Sequence, residues 1–195
     1  MKKKINDMAL MDDKAGNINV CYPFIGSKAI EYVTDTLSGR WIGQGPKVDL
    51  FESKFKDKFG GNKKAISVNS GTSALHLAYI LCDIKPGDEV IVPLFTCTAT
   101  NIPLLHMGAK IRFADVDIDT LNMDLNHVES LVNEKTKAIV PVHYGGLCND
   151  MDRLNQIASK YNIPIIQDAA HSIGTTYKGK HLSELSDYVM YSFQA

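Results

Sequence analysis

Apolar runs alternate with stretches of helical periodicity over most of the chain, and this alternation limits the fold more than any other feature of the sequence. Short runs rich in apolar residues are typical of strands whose two faces are both covered by helices. The predicted strands are 65–68, 90–94, 111–114, 138–142 and 163–166. The predicted helices between them are 73–82, 98–106, 125–132 and 151–161. The pattern predicts an α/β fold of three layers (α/β/α), with a mostly parallel sheet in the middle.

The segment before this alternation is expected to hold a polar leader and two helices. Apolar residues at helical spacing predict helices over 27–37 and 47–59, and each of these stretches is followed by glycine. A length of 195 residues suits one domain. We therefore expect an N-terminal leader over 1–25 and a single domain over 26–195.

Charge and cysteine usage exclude several classes of protein. A formal net charge of −1 predicts no nucleic-acid partner. No apolar run reaches about 18 residues and no signal peptide is recognisable, so we expect no membrane partner and a cytoplasmic location. The four cysteines, Cys21, Cys82, Cys97 and Cys148, are widely spaced and form no Cys-x-x-Cys pair. Reduced thiols and no metal site are therefore expected.

Polar residues follow four of the predicted apolar strands. In open α/β sheets, ligands bind beyond the carboxyl ends of the strands, so these loops are the first place to look for chemistry. The four loops are 69–73, 95–98, 143–146 and 168–171. A functional site is predicted where they converge.

The first of these loops has the composition of an anion site. Residues 69–74 lie between a predicted strand and a predicted helix, so backbone N–H groups and the hydroxyls of Thr72 and Ser73 would point at a bound phosphate. An N-cap with a tight glycine turn explains the same residues equally well. No glycine-rich dinucleotide fingerprint or P-loop is present.

Asp168 follows an apolar strand, where a carboxylate is costly to bury without a partner. A protonated pyridine nitrogen, as in pyridoxal phosphate, would be such a partner. The alternative is an aspartate that ends the strand and caps a turn. His171 lies three residues further on and would reach the same ligand. No Gly-x-Ser-x-Gly motif suggests a serine hydrolase.

Taken in order, seven segments resemble the DegT/DnrJ/StrS sugar aminotransferases, a branch of the aspartate aminotransferase-like, fold type I pyridoxal phosphate enzymes. The matching segments are 39–52, 70–77, 86–93, 136–139, 142–146, 168–171 and 191–194. Each segment is weak by itself, whereas the ordered set is specific. The resemblance implies that the chain is the incomplete large domain of such an enzyme.

The resemblance also implies roles for individual residues around pyridoxal 5'-phosphate. Gly71, Thr72 and Ser73 would hold the phosphate, and Ser192 would add a contact from a later strand end. Asp168 would pair with the pyridine nitrogen, and His171 would lie beside the ring. These are the expected cofactor-binding residues, together with Cys97, which is discussed next.

Two positions depart from the family pattern. Cys97 stands where the family usually has an aromatic residue that stacks on the ring, so Cys97 is a candidate cofactor contact, with Phe95 as a possible substitute. The family's Schiff-base lysine would come two residues after Ala195. The family's C-terminal small domain would follow further along the chain. We therefore assign no catalytic residue, and expect the chain as given to be inactive.

The resemblance implies transfer of an amino group, with glutamate the expected donor, to a nucleotide-linked keto-deoxysugar for surface polysaccharide or glycoside synthesis. The full-length protein is expected to be a homodimer. One alternative is a sugar dehydratase of the same family, in which histidine replaces the lysine. Another is a noncatalytic truncated product.

Overall fold

The computed structural model describes residues 25–194, which include two compact units. The first extends to Phe51 and contains helix α1 (Ser27–Ser38) and the start of α2 (Pro46–Phe55). The prediction of a helix over 27–37 is confirmed, and Gly39 ends it by donating its N–H to the last carbonyls of the helix. The predicted leader lies almost wholly outside the described residues, as does Cys21.

The second unit, from Glu52 to Gln194, contains the sheet. Its strands are β1 (Glu89–Pro93), β2 (Lys110–Ala114), β3 (Thr136–Ile139), β4 (Ile166–Asp168), β5 (Thr176–Tyr177), β6 (Lys180–His181) and β7 (Tyr188–Met190). β1 pairs in parallel with β2 on one side and β3 on the other, and β4 pairs in parallel with β7. Parallel bridges from Ile139 to Ile165 and from Val142 to Asp168 join β3 to β4. The spatial order is therefore β2-β1-β3-β4-β7.

Helices cover both faces of this sheet. They are α3 (Gly71–Leu81), α4 (Thr98–His106), α5 (Leu125–Leu131) and α6 (Met151–Tyr161). Side chains alternate along the strands: Val90 and Val92 pack with α3 and α4, while Ile91 between them packs with α5 and α6. This period of two, with apolar residues on both faces, is why the buried strands read as continuous apolar runs. The predicted three-layer α/β/α fold with a parallel sheet is confirmed.

One predicted strand is wrong. Residues 65–68 form no strand in the part of the chain that the structure describes, and Ile66 is 61% exposed. The N–H and hydroxyl of Ser67 instead donate to Glu52 Oε1, at 2.7 and 2.8 Å. An apolar run forms a strand only where a neighbouring strand accepts and donates its backbone hydrogen bonds. Here the Glu52 side chain, rather than a strand, accepts the N–H of Ser67.

Two further predictions need smaller corrections. The predicted helix over 47–59 is α-helical only to Phe55, after which Lys56–Gly60 widens into one π-helical turn. The strand predicted at 163–166 lies about two residues later, so Asp168 is the last residue of β4 rather than a residue beyond it. That shift keeps the Asp168 backbone within the sheet.

The chain reverses its direction of progress across the sheet at β1, because β2 lies on one side of it and β3 on the other. Loops at the carboxyl ends of such neighbouring strands diverge and leave a crevice. The segments that follow β1, β3 and β4 are the loops that sequence analysis selected. The fold therefore places these loops at one edge of the sheet.

Candidate functional site

The N-terminus of α3 has a side-chain cap and also backbone N–H donors that this cap does not use. Ser70 is the N-cap, and its Oγ accepts the N–H of Ser73 at 3.1 Å. The Ser73 hydroxyl is itself engaged, since it donates to Asn69 Oδ1 at 2.7 Å. Among residues 25–194, no acceptor receives the N–H of Gly71 or Thr72. These two N–H groups lie at the positive end of a helix dipole, which favours an anion.

Ser192 lies directly beside this helix N-terminus. A Cβ placed on Gly71 would be 3.3 Å from both the Cβ and the Oγ of Ser192, and 3.5 Å from the sulfur of Met190. Such a contact is tighter than most Cβ contacts in proteins, so any larger residue at position 71 would push the Ser192 side chain aside by a few tenths of an ångström. The structure therefore brings together Gly71 and Ser192, two of the predicted phosphate contacts that are far apart in sequence.

Asp168 is buried, with 4% of its surface exposed. Its Oδ2 accepts a hydrogen bond from the hydroxyl of Thr100 at 2.8 Å, and its Oδ1 accepts the N–H of Ala170 at 3.1 Å. Burial raises the pKa of Asp168 above its ordinary value, although both hydrogen bonds and the nearby His171 act in the opposite direction. A buried carboxylate with a raised pKa is typical of a site that takes up a cation or a proton.

That carboxylate forms no ion pair within the part of the chain that the structure describes, although the exposed His171 lies near enough to act on its pKa. Every ion pair among these residues lies elsewhere, and none includes Asp168. The alternative reading, an aspartate that only caps a turn, accounts for the bond to Ala170. It leaves unexplained why the carboxylate is buried at the carboxyl edge of a sheet.

Thr100 is a site residue that sequence reasoning missed. It lies in the first turn of α4, fully buried, and its hydroxyl joins Asp168 to Thr96, whose Oγ1 is 2.8 Å from Thr100 Oγ1. The only available signal was a threonine in the first turn of the helix after β1. That signal is too common to have indicated a contact across 68 positions of sequence.

His171 is exposed and is held by the loop after β3. Its Nδ1 accepts the N–H of Gly145 at 3.2 Å, so in the neutral ring the proton lies on Nε2. The ring of Tyr144 packs edge-on against it at 5.4 Å, and Phe95 packs against Tyr144 at 4.7 Å. The histidine therefore presents Nε2 from an aromatic cluster formed by Phe95, Tyr144 and His171.

Cys97 is exposed at the N-cap of α4 and makes no side-chain capping bond. Its carbonyl accepts the N–H of Thr100 at 3.1 Å, so it begins the turn that carries Thr100 to Asp168. Phe95, the possible substitute for Cys97 as a ring contact, packs in the aromatic cluster. Whether either side chain contacts a cofactor stays a prediction.

A buried polar network holds the loops around Asp168. His143 is fully buried, and its Nδ1 accepts from the backbone and side chain of Asn149 at 3.2 and 3.1 Å, while Nε2 lies 2.8 Å from Gln167 Oε1. Burial lowers the pKa of His143, so it is neutral at pH 7. The backbone N–H of His143 donates to the carbonyl of Asp168 at 3.0 Å, and its carbonyl accepts from the Ser172 hydroxyl at 2.9 Å. His143 therefore has a structural role, tying the β3 loop to the β4 loop.

Metal and membrane features were sought over residues 25–194. No cluster of three or more histidine, cysteine or acidic side chains within this range has the geometry to bind a metal ion. Nor does any helix there have the length and apolar character needed to cross a membrane. A cavity of about 480 Å³ lies at the amino-terminal ends of β4 and β7, with Lys63 and Asp187 at its rim, and so at the edge opposite to Asp168.

The comparison with protein families gives a match over nearly the whole chain. The model of the DegT/DnrJ/EryC1/StrS aminotransferase family matches residues 23–195. The spore coat polysaccharide biosynthesis protein SpsC of Bacillus subtilis is 43% identical over 173 residues, which are 89% of this chain and 44% of SpsC. An uncharacterized protein of Methanocaldococcus jannaschii is also 43% identical over 173 residues, covering 89% of this chain and 45% of that protein.

Solved structures agree with the sequence relatives. A Streptococcus pneumoniae protein assigned as a sugar aminotransferase has been solved in apo, pyridoxamine phosphate and pyridoxal phosphate forms. The last of these has a TM-score of 0.86 and 36% identity, with 92% of this chain and 49% of that chain covered. Helicobacter pylori PseC, an aminotransferase of pseudoaminic acid biosynthesis, has a TM-score of 0.85 and 28% identity over 91% of this chain and 48% of its own.

The fold is that of the pyridoxal phosphate-dependent transferases of fold type I. Within that class, the chain belongs to the DegT/DnrJ/EryC1/StrS aminotransferase family, whose cofactor is pyridoxal phosphate. The chain spans less than half the length of the relatives named above. The expected family and cofactor are confirmed.

Proposed function

We propose that this chain forms the cofactor-binding part of a sugar aminotransferase, in which Asp168 binds the pyridine nitrogen of pyridoxal phosphate. The observation that carries the proposal is a buried carboxylate that forms no ion pair among residues 25–194. A cationic ring N–H would complete this site. When bound, the cofactor supplies a protonated ring that accepts electron density from the carbon bearing the amino group.

The phosphate end is proposed at the N-terminus of α3. The N–H groups of Gly71 and Thr72 have no acceptor among the described residues, and the Ser192 hydroxyl lies beside Gly71. Because a Cβ at position 71 would fill the space next to Ser192, the residues present fit a phosphate. Ser73 would exchange its bond to Asn69 for one to the phosphate, while its N–H keeps the cap on Ser70.

His171 and Cys97 are proposed as the remaining cofactor contacts. Because Nδ1 accepts from Gly145, the proton of the neutral His171 ring is on Nε2, which we propose donates to an oxygen of the ring. Cys97 would offer a small, polarisable surface in place of an aromatic ring. The family resemblance gives none of these positions the role of the Schiff-base lysine.

The acceptor is proposed to be a nucleotide-linked keto-deoxysugar and the donor glutamate. Support comes from relatives, because SpsC is named for spore coat polysaccharide biosynthesis and PseC for pseudoaminic acid biosynthesis. A homodimer is proposed for the whole protein from the family resemblance. A cytoplasmic location stays a prediction of the sequence.

Cofactor binding tests this proposal through a measurement that needs no Schiff-base lysine. Isothermal titration calorimetry of this chain with pyridoxamine phosphate, which needs no lysine to bind, should give saturable binding at pH 7. Asp168→Asn should abolish most of that affinity, whereas the matched exposed change Asp119→Asn should not. Equal affinity of the wild-type chain and Asp168→Asn would remove Asp168 from the pyridine role.

A further inference from the structure

The carboxylate of Asp168 is held by a hydroxyl from a different layer of the fold. Thr100, in the first turn of α4, has no exposed surface, and its Oγ1 lies 2.8 Å from Asp168 Oδ2. An ionised carboxylate can only accept, so Thr100 is the donor. A hydrogen bond to a charged group in a buried setting is stronger than one between neutral groups.

The donor direction extends one step further. Because the Thr100 proton is used by Asp168, the hydroxyl of Thr96, at 2.8 Å, must donate to Thr100 Oγ1. Thr96 is only partly buried, so the series begins near solvent and ends at the carboxylate. The two hydrogen bonds therefore point the same way, from Thr96 to Thr100 and from Thr100 to Asp168. Hydrogen bonds in such a series polarise one another, which strengthens the bond to Asp168.

The backbone at Thr100 is fixed as well. Its carbonyl accepts the hydroxyl of Tyr79 at 2.9 Å, and Tyr79 is a fully buried residue of α3. The helix whose N-terminus forms the anion site is therefore bonded to the turn that orients Asp168.

Each Asp168 oxygen has one protein donor, Thr100 for Oδ2 and the N–H of Ala170 for Oδ1. A carboxylate oxygen accepts about two hydrogen bonds, so one lone pair on each oxygen stays available. With a donor on both oxygens, the carboxylate cannot rotate without breaking one of them. Its orientation is therefore set before any ligand binds.

We propose that Thr100 is a positioning residue, whose hydroxyl fixes the Asp168 carboxylate in the orientation that pairs with a cationic ring nitrogen. The proposal rests on the function proposed above. Thr100 does not touch the cofactor itself; it acts through Asp168. Positioning of this kind avoids reorganisation when the ring binds.

The test uses Thr100→Val, which keeps the β-branched shape and the carbonyl that Tyr79 binds, and Thr100→Ser, which keeps the hydroxyl. The matched control is Thr98→Val, an exposed threonine in the same helical turn. The first measurement is the titration of Asp168 in the chain without ligand, by NMR of ¹³C-labelled aspartate carboxyls. Asp168→Asn identifies the resonance. Thr100→Val should raise the pKa of Asp168 further, and Thr100→Ser and Thr98→Val should leave it near the wild-type position.

The second measurement is the dissociation constant of pyridoxamine phosphate at pH 7. Thr100→Val should weaken binding about tenfold, the cost of one hydrogen bond to a charged group. In an Asp168→Asn background it should have no further effect, because its influence passes through the carboxylate. An equal loss in both backgrounds, or an unchanged Asp168 titration in Thr100→Val, overturns the proposal.

Two outcomes separate this proposal from the one on which it rests. If the wild-type chain binds no pyridoxamine phosphate, the cofactor proposal fails, and the Asp168 titration alone decides whether Thr100 orients the carboxylate. If Thr100→Val does not fold, Thr96→Val is the replacement variant, because it removes the hydrogen bond that Thr96 donates to Thr100. It should shift the titration in the same direction by a smaller amount, and no shift there contradicts the proposal.

Discussion

The two ends of the candidate site hold charge by opposite means. At the N-terminus of α3, an anion would meet backbone N–H groups near solvent, and the essential requirement is space, provided by Gly71 beside Ser192. At the end of β4, a cation would meet the buried side chain of Asp168. The first end needs a side chain, that of Ser192, close to a helix N-terminus without a Cβ, whereas the second needs burial together with fixed donors.

This difference teaches how each end responds to substitution. Substitutions other than proline leave the backbone N–H donors in place, so the most direct way to disturb the anion end is to fill its space. At the cation end, the Asp168 carboxylate is the one group proposed to pair with the ring nitrogen, so this end depends on a single side chain. The predictions below follow from that contrast, beginning with the largest effect.

Asp168→Asn should weaken binding of pyridoxamine phosphate about a hundredfold, or about 2.8 kcal/mol, because loss of one member of a buried charge pair costs about 2–5 kcal/mol. Calorimetry on both proteins gives the ratio. Without ligand, the variant should unfold at the same or a higher urea concentration, since it no longer buries a carboxylate that forms no ion pair. A variant that binds normally but unfolds early would make Asp168 a structural residue.

The same affinity ratio should depend on pH. Burial raises the pKa of Asp168, so the carboxylate is ionised above that raised pKa and loses its charge as the pH falls through it. The advantage of the wild-type chain over Asp168→Asn should therefore decline by about tenfold per pH unit below the raised pKa. Taking the ratio cancels the titrations of the cofactor itself. A ratio that stays constant across the pH range in which Asp168 of the unliganded chain titrates by NMR would contradict the assignment.

The unliganded chain should show the opposite trend in stability. Since the folded-state pKa of Asp168 lies above its ordinary value of 3.8, folding favours the protonated form. Its contribution to stability is therefore present below pH 3.8 and is lost as the pH rises through the raised pKa. Urea unfolding of the wild-type chain and Asp168→Asn across this window should show the variant gaining in relative stability with rising pH. Parallel curves would count against the burial argument.

Gly71→Ala should weaken binding of pyridoxamine phosphate about tenfold and change the free energy of unfolding by less than about 1 kcal/mol. The added methyl group lies 3.3 Å from Ser192 and displaces the side chain that closes the anion end. Gly43→Ala is the control, because a Cβ there has no atom within 4 Å. Unchanged affinity in Gly71→Ala would show that the anion end is wider than the geometry indicates.

Ser70→Ala should lower the free energy of unfolding by about 1 kcal/mol, the usual cost of an N-cap. Ser70 Oγ accepts the Ser73 N–H within the turn, so its loss affects the helix rather than a ligand. Chemical denaturation measures this cost. An affinity loss as large as that of Gly71→Ala would instead make Ser70 part of the anion site.

The spacing of apolar residues predicted much of the layer structure. Strands buried on both faces are short continuous apolar runs, whereas helices with one apolar face repeat apolar residues every three or four positions. The failure at 65–68 has a clear cause: an apolar run is a strand only where a neighbour completes its hydrogen bonds. Here Glu52 takes the N–H of Ser67. Capping residues such as Asp124 and Asp150, which accept N–H groups of α5 and α6, followed the ordinary rules.

By itself, the sequence determined the class of fold, the family and the residue types at the carboxyl edge of the sheet, because these depend on local period and on short motifs. Only the tertiary structure showed that the Ser192 side chain lies beside Gly71. It also showed that Thr100 donates a hydrogen bond to Asp168, which is 68 residues away in sequence. Contacts of that kind follow from how strands and helices of different segments pack. No local pattern encodes them, since a buried threonine looks the same in sequence whether or not a carboxylate lies opposite.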